Sequence, residues 1–195
     1  NELVFNSLNG EPYPLAEIVY YFYHDKFNYG EDENWYVFEN HRWGNIGKKN
    51  MNLRHYMQPK LKELYSELIQ YYKENESDKN KIKSIKNIIK SFDNTGQKNN
   101  IVAELTEIFQ IKNNPKRNFT KKLDDNKYII GFDNGIYDLQ KFEFREGHPD
   151  DYITLSVGYD YNTEHTDKYE GLLKFLEDIQ PNKEEREYML TYLSI

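Results

Sequence analysis

Two adjacent pairs of aspartates, Asp124-Asp125 and Asp150-Asp151, are the residues whose type comes closest to a catalytic centre. Paired carboxylates can hold the Mg²⁺ of a nucleotidyl transferase or nuclease. Their spacing disfavours a shared ion, because neighbouring side chains on an extended segment face opposite ways. Asp150-Asp151 also follows Pro149, a turn signal. Asp133 and Asp138 flank Asn134-Gly135 and are accounted for by turn chemistry. Gly44-Asn45-Ile46-Gly47-Lys48-Lys49 resembles a phosphate loop in composition only. That loop needs four residues between its glycines and a Ser or Thr after its Lys. His24, His41, His55, His148 and His165 fall into no metal-ligand spacing. With no Cys, neither a disulfide nor a Cys-based zinc site can form. No Ser or Cys nucleophile signature is present.

Cations offer a different chemistry. The chain carries a net charge of −7, which excludes a protein wholly devoted to wrapping nucleic acid. The charge is unevenly spread: residues 1–40 carry −7, 41–78 carry +2, 79–122 carry +8 and 123–195 carry −10. Lys and Arg of the basic middle can displace counterions from a phosphate backbone. The loop at 111–122 supplies Lys112, Lys116, Arg117, Lys121 and Lys122 around Pro115. Arg42 and Trp43, followed by Lys48, Lys49 and Arg54, offer charge beside an aromatic stacking surface. Lys79, Lys81, Lys83, Lys86 and Lys90 read instead as a solvated helix, alternating too evenly to make one face. Lys far outnumbers Arg and Asn, Ile and Tyr are abundant, so richness in Lys or aromatics carries little functional weight alone.

These residues need elements to position them. Pro14 begins a helix with Leu15, Ile18, Val19 and Phe22 on one face. After the acidic loop Glu31-Asp32-Glu33, Trp35 to Phe38 form a strand that turns back at Glu39-Asn40 into His41-Arg42-Trp43. Pro59 opens or kinks a long helix with the stripe Leu61, Leu64, Tyr65, Leu68, Ile69 and Tyr72. Ser77 or Asp78 caps a helix carrying Ile82, Ile85, Ile88, Ile89 and Phe92, stopped at Asp93-Asn94-Thr95-Gly96. A further helix holds Ile101, Val102, Leu105, Ile108 and Phe109. A β-element follows at 127–155, where Asn134-Gly135 promises a hairpin with positive φ. Thr166 caps a helix with Leu172, Leu173, Leu176 and Ile179, ended by Pro181, and Asn182 caps the last one.

The fold class is therefore α+β, mostly helical with small antiparallel β-hairpins. Two parts are expected, residues 1–165 and a helical 166–195. The chain does not begin with Met, and its last helical pattern runs into Ile195, as expected of a piece of a longer protein. No apolar run of 18 residues is present and Asn1-Glu2-Leu3 offers no basic and apolar leader pattern, so neither a membrane-spanning helix nor a signal peptide is expected.

Trp35-Tyr36-Val37-Phe38-Glu39-Asn40-His41-Arg42-Trp43 and Gly131-Phe132-Asp133-Asn134-Gly135-Ile136-Tyr137-Asp138-Leu139 carry a family resemblance. They resemble the module that precedes the superfamily 3 helicase in poxvirus-type helicase–primases, with related versions in giant viruses, phages and integrative plasmids. Phe142-Glu143-Phe144-Arg145, His148 to Thr154, Leu173 to Ile179 and Glu184 to Ser194 continue it. The resemblance spans residues 10–195, with the Asn-Gly segment its specific part. It implies a non-catalytic module between a primase and a hexameric AAA+ motor, contacting DNA and helping assemble the ring. ATP and Mg²⁺ would belong to the parent helicase, with no cofactor here. It further implies an intracellular setting: a viral replication site in host cytoplasm or nucleus, or bacterial cytoplasm for a phage or plasmid. Two other readings stand beside it: a purely structural linker or oligomerisation domain, and a metal-dependent primase or nuclease using Asp124, Asp125, Asp150 or Asp151.

Overall fold

A computed structural model describes residues 2–48, 51–75, 78–114, 116–162 and 167–193. Two prolines set its first long helix. α1 (Glu2–Asn6) is a single turn, and α2 (Pro12–Tyr23) starts on Pro12 with Pro14 in its first turn, where a missing N–H costs nothing. Then come β1 (Phe27–Tyr29), β2 (Trp35–Glu39) and β3 (Arg42–Gly47), followed by α3 (Met51–Asn75), α4 (Lys79–Ser91), α5 (Thr95–Lys112) and the short α6 (Phe119–Lys122). A second set of strands, β4 (Ile129–Phe132), β5 (Gly135–Asp138) and β6 (Glu143–Arg145), leads to a 3₁₀ turn at Pro149–Asp151. The chain then forms α7 (Asp167–Ile179) and α8 (Lys183–Leu193). It separates into two units, residues 1–160 and 161–195.

The α+β expectation holds: helices dominate, and each sheet is a three-stranded antiparallel meander, β1-β2-β3 and β4-β5-β6. β1 was not expected; at three residues it is too short to show alternation. The main core joins α2, α3, α4, α5 and the first sheet. Leu15, Phe27, Trp35, Leu61, Tyr65, Ile85, Phe92, Ile101 and Phe109 are all at most 1% exposed. Pro59 does not open α3, which starts at Met51 and carries the proline inside it. Leu53, Met57, Leu61 and Tyr65 follow at i, i+4 spacing and are all buried, so packing of one continuous stripe overrides the local penalty. Asp78 and Asn94 cap α4 and α5, each accepting from two backbone N–H groups; Ser77 and Thr166 lie outside the described residues.

The two hairpin turns differ from each other. Glu39 pairs with Arg42, leaving Asn40 and His41 as a two-residue loop with φ of 50° and 64°. Positive φ at both positions is the primed turn that matches strand twist. The second turn does not use Asn134-Gly135 as expected. Phe132 pairs with Gly135, so Asp133 and Asn134 form the loop, and neither has positive φ. Gly135 provides clearance instead: a Cβ there would lie 2.6 Å from the Arg145 carbonyl oxygen.

Residues 153–159 stitch the sheets together. Trp43 N donates to Ile153 O on one side, while Val157 N donates to Gly131 O and Asp133 N to Tyr159 O on the other. In the second unit, Asn182 caps α8 through Glu184 N and Glu185 N, and Arg186 reaches Gln180 O and Glu177. The expected α7 stripe is largely uncovered: Leu172, Leu173 and Ile179 are exposed and Leu176 is half-buried, with Phe175 beside them also exposed.

Candidate nucleic-acid interface

The basic segment that the sequence presents as a loop is a buttressed turn. α5 ends at Lys112, and Asn113 ties that end down, with Tyr20 Oη donating to its Oδ1 and its Nδ2 donating to His24 O. Asn114 is 2% exposed. Its Oδ1 accepts from Asn118 N at 2.8 Å and Phe119 N at 3.2 Å, and its Nδ2 donates to Glu31 Oε2 at 3.2 Å. Thr120 N donates to the same Glu31 oxygen. Burial pushes the Glu31 carboxyl up, but the hydrogen bonds from Thr120, Asn114 and the backbone together outweigh it and bring its pKa down to about 2.

Beneath α6 lies a satellite core of Tyr36, Trp43 and Phe119, bordered by Phe38, Leu123 and Tyr152. Trp43 meets Phe119 edge-on at 5.3 Å, and its Nε1 donates to Pro149 O at 2.8 Å. The indole is 4% exposed, so the stacking surface expected from Arg42-Trp43 is not available. Trp43 needed burial for its large apolar area and found a carbonyl partner for its N–H. It still belongs to the site, as the floor that fixes α6 through Phe119. Arg42 is also engaged, donating to Asp133 at 2.9 Å across the two sheets.

The remaining cations divide cleanly. Lys48 pairs with Glu33 at 2.8 Å, Lys112 sits 3.7 Å from Glu17 and over the Tyr20 ring, and Lys122 lies over the Tyr152 ring. Arg54 is partly buried in the first turns of α3, and its Nε finds no hydrogen-bond partner among the described residues. Lys49 lies outside the described residues. Lys116, Arg117 and Lys121 are exposed, and no ion pair among the described residues engages them. Arg117 adopts φ of 45°, a left-handed conformation costing roughly 1–2 kcal/mol for a residue with a Cβ. The fold holds that turn against strain and leaves the guanidinium in solvent. Glu31 and Asn114, which make this possible, gave no local signal in the sequence.

Asp124, Asp133, Asp138 and Asp151 are occupied structurally. Asp151 receives both guanidinium nitrogens of Arg145, at 2.6 and 2.9 Å, and the His148 N–H. Burial raises its pKa, but the Arg145 guanidinium and the His148 N–H together outweigh that and leave it lowered. Asp124 accepts from Thr154 N and from the Thr154 hydroxyl. Asp138 caps Gln140 N and Lys141 N. Asp133 takes Arg42 and Ser156, and its carboxyl is held low chiefly by the Arg42 hydrogen bond. Asp125 and Asp150 are exposed. Among the described residues no three acids or histidines assemble as a metal cage. Gly44 to Gly47, the phosphate-loop lookalike, is strand β3 paired to β2. No helix among the described residues is long and apolar enough to cross a membrane.

Two small meanders on a helical core thus carry a basic turn held by Asn114 and Glu31, and among the described residues no acid cluster is assembled. The chain belongs to the D5 N terminal like family, whose model matches residues 16–181. It is similar to a protein of Acanthamoeba polyphaga mimivirus named "Putative helicase L207/L206", 36% identical over 171 residues, 82% of this chain and 17% of that protein. Protein 184R of Invertebrate iridescent virus 6, given the same designation, is 35% identical over 113 residues, 56% of this chain and 11% of that protein. The chain thus spans less than a fifth of the length of these relatives and aligns with their amino-terminal part.

Proposed function

We propose that this chain is a non-catalytic module of a viral-type replicative helicase–primase and that it contacts the DNA backbone through Lys116, Arg117, Lys121 and Lys122. The observation that carries this reading is the turn that follows Asn114: Lys116, Arg117 and Lys121 stand in solvent with no ion pair among the described residues, on a backbone fixed from below by Asn114 and Glu31. Phosphate contacts of this kind orient a protein on nucleic acid without reading bases. In the parent protein the module would join primase and motor and help close a hexameric ring. The motor would supply the ATP and Mg²⁺ chemistry, at an intracellular site of viral replication. The exposed apolar residues of α7 and α8 support the assembly half of this role, and they also favour the second reading, a purely structural linker.

Fluorescence anisotropy of labelled single- and double-stranded DNA with the purified chain tests this. Binding that weakens when the four cations become Gln is the expected result. Absence of binding to either form leaves the linker reading. Mg²⁺- or Mn²⁺-dependent cleavage or primer synthesis, lost on changing Asp124 or Asp125, would replace both with the enzymatic reading.

A further inference from the structure

α4 carries five lysines and not one acid within its bounds. The expectation that they spread evenly around the helix fails once they are placed in three dimensions. Lys81 lies alone, 5.0 Å over the Tyr72 ring and 3.8 Å from the capping Asp78. Lys79, Lys83, Lys86 and Lys90 are all exposed and follow one another at i, i+4, i+7 and i+11. At 3.6 residues per turn they fall within an arc of about 60° and along about 16 Å of helix axis. No ion pair among the described residues engages any of the four.

Such a stripe is unfavourable by itself. Each i,i+3 or i,i+4 pair of like charges destabilises a helix, and one Glu in the stripe would relieve it. Beside the stripe lie Asn80, Ser84 and Asn87, exposed in the same helix. Lysines flanked by hydroxyl and carboxamide groups form the donor set that meets phosphate and sugar oxygens. The helix is a firm platform: Ile85 and Ile88 are buried in the main core, and Asp78 caps the first turn. A membrane-surface helix would instead keep its apolar residues free to insert, whereas those of α4 are used by the core.

We propose that the Lys79–Lys83–Lys86–Lys90 face of α4 is a second binding surface for a nucleic-acid backbone, separate from the turn at 116–121. It takes phosphodiester backbone without base readout. The proposal rests on the reading that this chain meets DNA, and it places much of the affinity on a helix that reading does not use.

The test compares the salt dependence of DNA affinity for the wild-type chain, for K79Q/K83Q/K86Q/K90Q, and for K116Q/R117Q/K121Q/K122Q. The α4 variant is expected to lose about 3 from the magnitude of the log K against log[salt] slope, since each phosphate contact contributes about 0.7–0.9. Replacing the same four lysines by Arg should retain the slope. The Lys→Gln variant should unfold at or above the wild-type temperature because like-charge repulsion is gone, so lost binding is not lost folding. A wild-type slope in the α4 variant, with a reduced slope in the turn variant, overturns this inference and leaves the earlier reading intact. The reverse pattern upholds it and removes the turn. No DNA binding by the wild-type chain sinks both, and tighter binding to vesicles of anionic lipid than to DNA overturns the assignment of ligand.

Discussion

The carboxamide of Asn114 donates to Glu31 Oε2 at 3.2 Å, joining residues 83 positions apart in the chain. Through it the acidic loop between β1 and β2 supports the basic turn after α5. Removing either side leaves buried or partly buried donors unpaired, Thr120 N and the Asn114 amide in one case, Asn118 N and Phe119 N in the other. Glu31→Ala and Asn114→Ala are each expected to cost about 1–3 kcal/mol. Urea unfolding midpoints measured at equal m-values provide the check.

Glu31 also predicts a response to acid. Its folded pKa of about 2 lies below the ordinary value of 4.5. A depressed carboxylate stabilises fully above its unfolded pKa and loses that contribution as pH falls through the folded one. Wild-type stability should therefore decline between about pH 4.5 and pH 2 more steeply than that of Glu31→Gln. Parallel pH–stability curves would show that Glu31 carries no such contribution.

Trp43 is predicted to behave as a core residue. Trp43→Ala should cost about 3–5 kcal/mol, from lost packing against Phe119 and Phe38 and an unpaired Pro149 carbonyl. With Trp35 at 1% and Trp43 at 4% exposure, acrylamide should quench the intrinsic fluorescence weakly, with or without DNA. A DNA-dependent drop in quenching would show an indole stacking on bases.

The Arg42–Asp133 bridge between the sheets is only partly shielded, with side chains 34% and 40% exposed. Its coupling in a double-mutant cycle with Arg42→Ala and Asp133→Ala should stay at or below about 1 kcal/mol. A larger value would mean that the two meanders depend on this pair for their docking.

How far the sequence revealed the site follows from distance along the chain. The isoleucine spacing of α4 and α5 and the aromatic strand ahead of Asn40 were legible because their signals are local and periodic. α3 was truncated because Pro59 is a strong local breaker, whereas the stripe that overrides it is a tertiary fact. The lysines of α4 alternate along the chain and hide their shared face, because the relevant spacing runs around the helix. The clamp of Glu31 on Asn114 and Thr120 and the burial of Trp43 depend on partners about 76 to 106 residues away, beyond any window of pattern reading.

The claim that the turn at 114–122 meets a phosphate backbone is tested most directly by the salt slope of DNA binding for the wild-type chain and for K116Q/R117Q/K121Q/K122Q. Four lost contacts should lower the magnitude of the slope by about 3, for single- or double-stranded DNA, with folding unchanged. Identical slopes and affinities for the two proteins would contradict it.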